Sequence, residues 1–178
     1  MYRSGRMTAW FRCRKPLISQ RPMCGYSEME TGLLEKSIAD LAAGFENAFE
    51  AAWARYAILQ GAEKKGTLNT IWISYLRTGV LMDTAWLQID LLDKGGWGAL
   101  EECCTDWDIR PAVASIYESA QRKYGQTEAE REKQLLEKAE QFIGMLKKHL
   151  PTIIQTVREE YPQVQFRFGE YMGTSQTI

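Results

Sequence analysis

The longest apolar stretch of the chain runs from Thr67 to Asp93, and it constrains the fold more than any other segment. It contains no proline and a single glycine, Gly79, whose missing side chain leaves a gap for a ligand or for a close neighbour. At a spacing of 100° per residue, apolar side chains cover most of its circumference and only a narrow stripe is polar. Such a helix is normally surrounded by other helices. The pattern therefore predicts a central helix over residues 67–93.

The preceding segment has the periodicity of a long amphipathic helix. From Glu28 to about Lys65, apolar residues recur every three or four positions: Leu34, Ile38, Leu41, Phe45, Ala48, Ala52, Tyr56 and Leu59. Gly61 and Gly66 follow, as is usual where a helix ends. Two long helices joined by a short linker form an antiparallel hairpin. These observations predict an all-α fold: an irregular bundle of five to six helices, built on this hairpin, as a single domain over residues 28–178.

Two helix starts in the second half of the chain carry recognisable signals. Pro111 stands where a first-turn proline belongs, and the helix it begins should end before Gly125. Thr127 and Glu130 match the capping-box pattern T-x-x-E, which opens a helix to about His149. Both segments therefore add helices to the predicted bundle.

The C-terminal segment combines a short helix with an extended arm. Pro151 is expected to interrupt the chain, and a helix over about residues 152–161 follows it. Val164, Phe166 and Phe168 then alternate in the manner of a strand. Because a single strand has no partner in a helical bundle, this segment is predicted to be an extended C-terminal arm packed on the helices. Pairing with a second copy of the chain is the less favoured alternative.

The first 27 residues differ from the rest in charge. Six of the 22 basic residues precede the first acidic residue, Glu28, which leaves 16 basic against 23 acidic residues in the remainder. This acidic balance makes nucleic acid an unlikely partner. The basic segment itself has no clear periodicity and is predicted to be an extended N-terminal arm. Three interpretations are open for it: a flexible tail, a translation start placed upstream of Met23 or Met29, and a targeting peptide.

The cysteines and the single histidine argue against a metal or redox centre. Cys103 and Cys104 are adjacent, and neither this pair nor Cys13 and Cys24 has the spacing of a structural zinc site or of a C-x-x-C motif. His149 alone cannot supply the Glu-x-x-His pairs of a di-metal bundle. We therefore expect no metal and no cofactor. Free thiols in the cytoplasm are the default interpretation, and no apolar run is long enough to predict a membrane span.

The candidate ligand site lies on the aromatic side of the predicted central helix. Trp72, Asp83, Trp86 and Asp90 would share this side, because seven residues correspond to about two helical turns. Arg77 would point elsewhere and is a candidate for orienting an anionic group. A carboxylate buried beside aromatic rings has a raised pKa and suits binding or acid–base chemistry. The alternative is structural, with either aspartate solvated or ion-paired at the edge of the bundle.

Two functional hypotheses follow, and the residues do not decide whether the chain is an enzyme. In the first, it is a non-enzymatic interaction or regulatory module that uses either an aromatic groove near Trp97 and Trp107 or the outer face of the first helix. In the second, it is a small-molecule-binding protein or enzyme with a pocket lined by the aromatic residues and the two aspartates. The heptad-like spacing of the first helix also predicts a homodimer.

Overall fold

The computed structural model describes residues 28–98, 101–121 and 124–178, and their fold is α/β rather than all-α. The strands are β1 (Thr70–Tyr75), β2 (Leu87–Leu92), β3 (Cys104–Trp107), β4 (Gln165–Glu170) and β5 (Ser175–Thr177). The helices are α1 (Glu28–Gly61), α2 (Arg77–Met82), α3 (Arg110–Ser119), α4 (Glu128–Ile153) and α5 (Gln155–Glu160). Residues 1–27, and the predictions made for them, lie outside the described residues.

The five strands form one mixed sheet in the order β3-β2-β1-β4-β5. β1 pairs antiparallel with β2 and parallel with β4, whereas the outer pairs, β2 with β3 and β4 with β5, are antiparallel. The parallel pair places Thr70 opposite Gln165, so the centre of the sheet joins segments that are far apart in the chain.

The predicted central helix over residues 67–93 is wrong, and with it the helical hairpin. The segment contains β1 and β2, and only Arg77–Met82 between them is helical. All residues of β1 except Tyr75, and all of β2 except Gln88, are buried. The alternation of a strand is present in residues 87–91, where Gln88 and Asp90 face away from the core. Each strand is only six residues long, however, and the apolar residues between β1 and β2 join them into one run of helical length.

The predicted C-terminal arm is also wrong, although its alternating pattern does indicate a strand. Gln165–Glu170 forms β4, which lies between β1 and β5 in the sheet. The arm was predicted because a helix over residues 67–93 leaves this strand without a partner. Once β1 is a strand, β4 has a neighbour on each side, and Phe166 and Phe168 point into the core.

The first helix is confirmed, but its partner is the sheet. α1 runs from Glu28 to Gly61 and packs on β2, β3 and α4. Phe45 meets Trp107 of β3 edge-on, with ring centroids 5.3 Å apart. A Cβ atom on Gly44 would lie 3.3 Å from Trp107 Nε1, so this glycine allows the helix to approach the strand. The other buried side chains of α1 include Leu41, Ala48, Phe49, Ala52 and Tyr56.

The core lies between the sheet and the helices, on one face of the sheet. The strand side chains on this face are Ile71, Ile73, Leu87, Ile89, Leu91, Trp107, Phe166 and Phe168. Side chains of the intervening positions, among them Trp72, Asp90 and Arg167, point to the opposite face and do not belong to this core. None of the described helices is both long and apolar enough to cross a membrane.

The capping box at the start of α4 is confirmed. The backbone N–H of Glu130 donates to Thr127 Oγ1 at 3.3 Å, and the backbone N–H of Thr127 donates to Glu130 Oε2 at 2.9 Å. The far end of this helix differs from the prediction, because Pro151 lies within the helix, which continues to Ile153.

Replacing Thr127 with alanine is expected to lower the free energy of unfolding by about 1 kcal/mol, because the first turn of α4 loses an acceptor for its unpaired N–H groups. Chemical denaturation would measure the loss. Thr127→Ser keeps the hydroxyl and should remain close to wild type. Equal losses in the two variants would contradict the capping role of the side chain.

Candidate functional site

A row of polar side chains crosses the face of the sheet that points away from the core. Trp72 of β1 lies opposite Asp90 of β2 on one side and opposite Arg167 of β4 on the other. Residues that face each other on neighbouring strands place their side chains on the same face of the sheet. Ser74 and Gln88 are also paired and form the next row. We call Trp72, Ser74, Gln88, Asp90 and Arg167 the sheet-face cluster.

Asp90 is the buried charge of this cluster, with 4% of its surface exposed. Gln88 Nε2 donates a hydrogen bond to Asp90 Oδ1 at 2.9 Å, whereas Oδ2 has no partner. Burial raises the pKa of Asp90 to about 6; the Gln88 hydrogen bond opposes this shift, and the negative charge of Glu102 adds to it. Ser74 is near enough to lower the pKa slightly, but its hydroxyl makes no hydrogen bond. Asp90 is therefore a desolvated carboxyl group with one free acceptor.

Unpartnered polar atoms are concentrated in the cluster. Six buried side-chain nitrogen and oxygen atoms of the described residues make no hydrogen bond, and four of them are Trp72 Nε1, Ser74 Oγ, Asp90 Oδ2 and Arg167 Nε. A buried polar group left without a partner costs about 1–3 kcal/mol, so such groups are rare in folded proteins. Buried groups of this kind take their hydrogen bonds from ordered water, an ion or a bound molecule, and their concentration on three adjacent strands makes this face the candidate site.

Two loops place aromatic rings over the cluster. Trp97 is part of a short 3-10 turn, Gly96–Gly98, and its ring meets Trp72 edge-on at a centroid distance of 5.5 Å. Tyr171, from the turn between β4 and β5, meets Trp97 in the same way at 5.4 Å. The guanidinium Cζ of Arg167 lies 5.0 Å from the centroid of the Trp72 ring, within cation–π range. The cluster thus has an aromatic border from two segments outside the strands.

Gly169 allows the β4–β5 turn to fold close to the sheet. A Cβ atom at this position would lie 2.1 Å from the carbonyl oxygen of Thr174 and 2.6 Å from Cα of Ser175. Both are backbone atoms and cannot turn aside. The absence of a side chain at Gly169 is therefore a condition for the turn that carries Tyr171.

The cysteine beside the cluster is not an activated nucleophile. Cys104 of β3 lies opposite Asp90 on the same face. Burial raises the pKa of the Cys104 thiol, and the negative charges of Asp90 and Glu102 raise it further. The thiolate form is therefore disfavoured. Within the described part of the chain, no group of three or more His, Cys, Asp or Glu side chains is placed to hold a metal ion.

The five residues predicted to line a pocket do not share one site. Trp72 and Asp90 both belong to the cluster, on facing positions of two strands. Arg77 begins α2 and is exposed, and Asp83 ends the same helix in a left-handed conformation, also exposed. Trp86 is fully buried on the helix side, where its indole N–H donates to the Tyr117 hydroxyl and its ring packs edge-on against Phe142.

The two tryptophans predicted to form an interaction surface also lie apart. Trp97 is half-buried and borders the cluster, as described above. Trp107 has no exposed surface, because its ring lies in the core beneath α1. It therefore contributes no area on which a partner could dock.

Sequence reasoning missed four residues of this site: Ser74, Gln88, Arg167 and Tyr171. A signal existed for Arg167, which stands between Phe166 and Phe168 in an alternating segment. In a paired strand this alternation places the arginine on the face opposite the two phenylalanines. The other three residues carry no local signal, because strand pairing and loop placement bring them to the site.

A separate open groove of about 470 Å³ lies between α4 and the β4–β5 edge of the sheet. Its walls include Tyr75, Glu140, Lys147 and Phe168. The charged walls are of opposite sign, and the groove contains no residue of the sheet-face cluster. It offers no buried unpartnered group apart from the Ser175 hydroxyl.

Comparisons of the chain with protein-family models, with curated proteins and with solved structures find no match.

Proposed function

We propose that the protein binds a small polar molecule at the sheet-face cluster, with Asp90 accepting a hydrogen bond from a cationic or N–H group of the ligand. The observation that carries the proposal is the buried carboxyl group with a free Oδ2 and no cationic partner within 4 Å among the described residues. A buried carboxylate is costly unless it is paired. A ligand that donates to Oδ2 supplies the missing partner.

The surrounding groups support recognition of a polar organic molecule. The indole N–H of Trp72 and the guanidinium of Arg167 are donors, and the Ser74 hydroxyl is both a donor and an acceptor. The rings of Trp72, Trp97 and Tyr171 offer apolar contact beside these groups. A few convergent polar groups with an aromatic border are typical of ligand sites. The interaction-module hypothesis has less support, because Trp107 is enclosed in the core.

A thermal-shift screen with primary amines, guanidines and other N–H donors at pH 7.5 tests the proposal. A compound present at 100 times its dissociation constant should stabilise the native protein by about 2.7 kcal/mol, seen as a rise in Tm. The Asp90→Asn variant should lose at least tenfold in affinity. Asp106→Asn is the matched control, since Asp106 lies on the neighbouring strand opposite Gln88 but is exposed.

Two results would contradict the proposal. One is the absence of any stabilising compound across the screen. The other is a compound that binds Asp90→Asn as tightly as it binds wild type, which would place the binding site away from the cluster.

A further inference from the structure

Opposite charges flank Trp72 within the sheet-face cluster. Asp90 is on the strand to one side of it and Arg167 is on the strand to the other side, at directly facing positions. Adjacent strands are separated by about 4.8 Å, so the Cα atoms of the two charged residues are roughly 10 Å apart across one face of the sheet. The two charged groups do not form an ion pair within 4 Å.

Each of the two charged groups has one buried atom without a hydrogen-bond partner among the described residues. Asp90 Oδ2 accepts no hydrogen bond, and Arg167 Nε is buried and donates none. No carboxylate of the described chain lies within 4 Å of the Arg167 guanidinium. The Trp72 ring stabilises the positive charge from one side. An aromatic face does not replace the planar hydrogen bonds that a guanidinium makes with a carboxylate.

The charges near the cluster reinforce this polarity. Glu102 lies close enough to Asp90 to raise its pKa, so it adds negative charge on the Asp90 side of Trp72. On the other side, the charged member of the cluster is Arg167. The cluster is therefore acidic at Asp90 and basic at Arg167.

We propose that the ligand of this site is a zwitterion, with an ammonium group on Asp90 and a carboxylate on Arg167, joined by a short carbon chain that crosses Trp72. This inference rests on the proposed function and specifies the class of ligand. The Arg167 guanidinium lies 5.0 Å from the centroid of the Trp72 ring, so a carboxylate bound to it would bring the attached methylene groups beside the indole. An ω-amino acid, whose charges are separated by a carbon chain, suits two residues placed two strand spacings apart better than an α-amino acid, which carries both charges on one carbon.

Isothermal titration calorimetry at pH 7.5 with three probes tests the inference. 6-Aminohexanoate carries both charges, whereas hexylamine and hexanoate each carry one. Wild type is expected to bind 6-aminohexanoate at least tenfold more tightly than it binds either single-charge probe. Arg167→Gln should abolish this advantage over hexylamine while leaving hexylamine affinity within about twofold. Asp90→Asn should weaken both amines.

Control variants separate local from general effects. Arg158→Gln, an exposed arginine on α5, should bind all three probes as wild type does. Arg167→Lys retains the charge but loses the planar donor pair, so it should keep only part of the advantage. Arg167→Lys also tests the role of Arg167 if Arg167→Gln fails to fold.

The outcomes distinguish this inference from the function on which it rests. If hexylamine binds as tightly as 6-aminohexanoate and Asp90→Asn lowers the affinity for both, the proposal of a zwitterionic ligand is wrong. The proposed function, binding of a cationic group at Asp90, then still stands. If Arg167→Gln retains the advantage, Arg167 does not hold the carboxylate and the inference is wrong. If none of the three probes binds, the inference is wrong, and the broader amine screen alone decides whether the proposed function stands.

Discussion

Replacing Asp90 with asparagine is expected to raise the free energy of unfolding by about 2–3 kcal/mol at pH 8 and to leave it nearly unchanged at pH 4. Burial raises the pKa of Asp90 from 3.8 to about 6. Between these two values the folded protein holds a proton that the unfolded chain releases, so the contribution of Asp90 to stability falls as the pH rises through this window. Above it the buried, ionised carboxylate destabilises the fold by the full amount. Asparagine has a similar shape and no charge.

Urea denaturation of both proteins between pH 4 and pH 8 would measure this difference. The gap between the Asp90→Asn variant and wild type should open between about pH 4 and pH 6 and stay constant above pH 7. Asp106→Asn, which changes an exposed carboxylate on the neighbouring strand, should show no comparable gap. A variant that is less stable than wild type at pH 8 would mean that Asp90 has a stabilising partner in the folded protein.

This predicted cost links stability to the proposed function. A buried carboxylate that destabilises the free protein is the kind of residue that is retained when activity requires it. A cationic ligand supplies the missing partner, so it should stabilise wild type above pH 7 and have little effect on the Asp90→Asn variant. Asp90 would then lower the free energy of unfolding of the ligand-free protein and raise the affinity for the ligand.

Replacing Gly79 with alanine is expected to lower the free energy of unfolding by about 3 kcal/mol. The added Cβ would lie 1.9 Å from the carbonyl oxygen of Ala85 and 2.8 Å from its carbonyl carbon. Both are backbone atoms of the segment that leads into β2. This segment is held by a hydrogen bond from the Leu76 N–H to the Trp86 carbonyl at 2.8 Å, so it cannot move away without breaking the connection between β1 and β2.

Gly144→Ala is the matched control, because Gly144 is also helical but an added Cβ there meets no atom within 4 Å. In that exposed position alanine should stabilise the protein by about 0.5–1 kcal/mol, through its higher helix propensity. Denaturation curves of the two variants should therefore shift in opposite directions. A Gly79→Ala protein as stable as wild type would show that the segment around Ala85 adjusts freely.

Local patterns were sufficient for the helices that border the sheet. The three- and four-residue spacing of Leu41, Phe45 and Ala52 predicts α1, and the Thr127–Glu130 pair marks the start of α4. These signals are reliable because a helix makes its backbone hydrogen bonds and its caps within a short segment. A partner elsewhere in the chain is not needed to form them.

The same reasoning failed for β1 and β2 because each strand is only six residues long, and the apolar residues between them extend the run to the length of a helix. Trp72 and Asp90 stand at positions that a helix would place on one side, and they do come together, but as facing residues on two strands. Arg77 and Asp83, also predicted for the site, are exposed at the two ends of α2 instead. A helix would have placed Trp72 and Asp90 about 27 Å apart along its axis, so their proximity on adjacent strands was not predicted.

The sequence by itself determined which segments are apolar and where α1 and α4 begin. The tertiary structure decided that β1 pairs with β4 across the intervening helices, and this pairing brings Arg167 to the other side of Trp72. The physical reason is that a strand forms its hydrogen bonds with another segment, so its identity depends on residues outside its own sequence. A site assembled from three strands is visible only once those strands are paired.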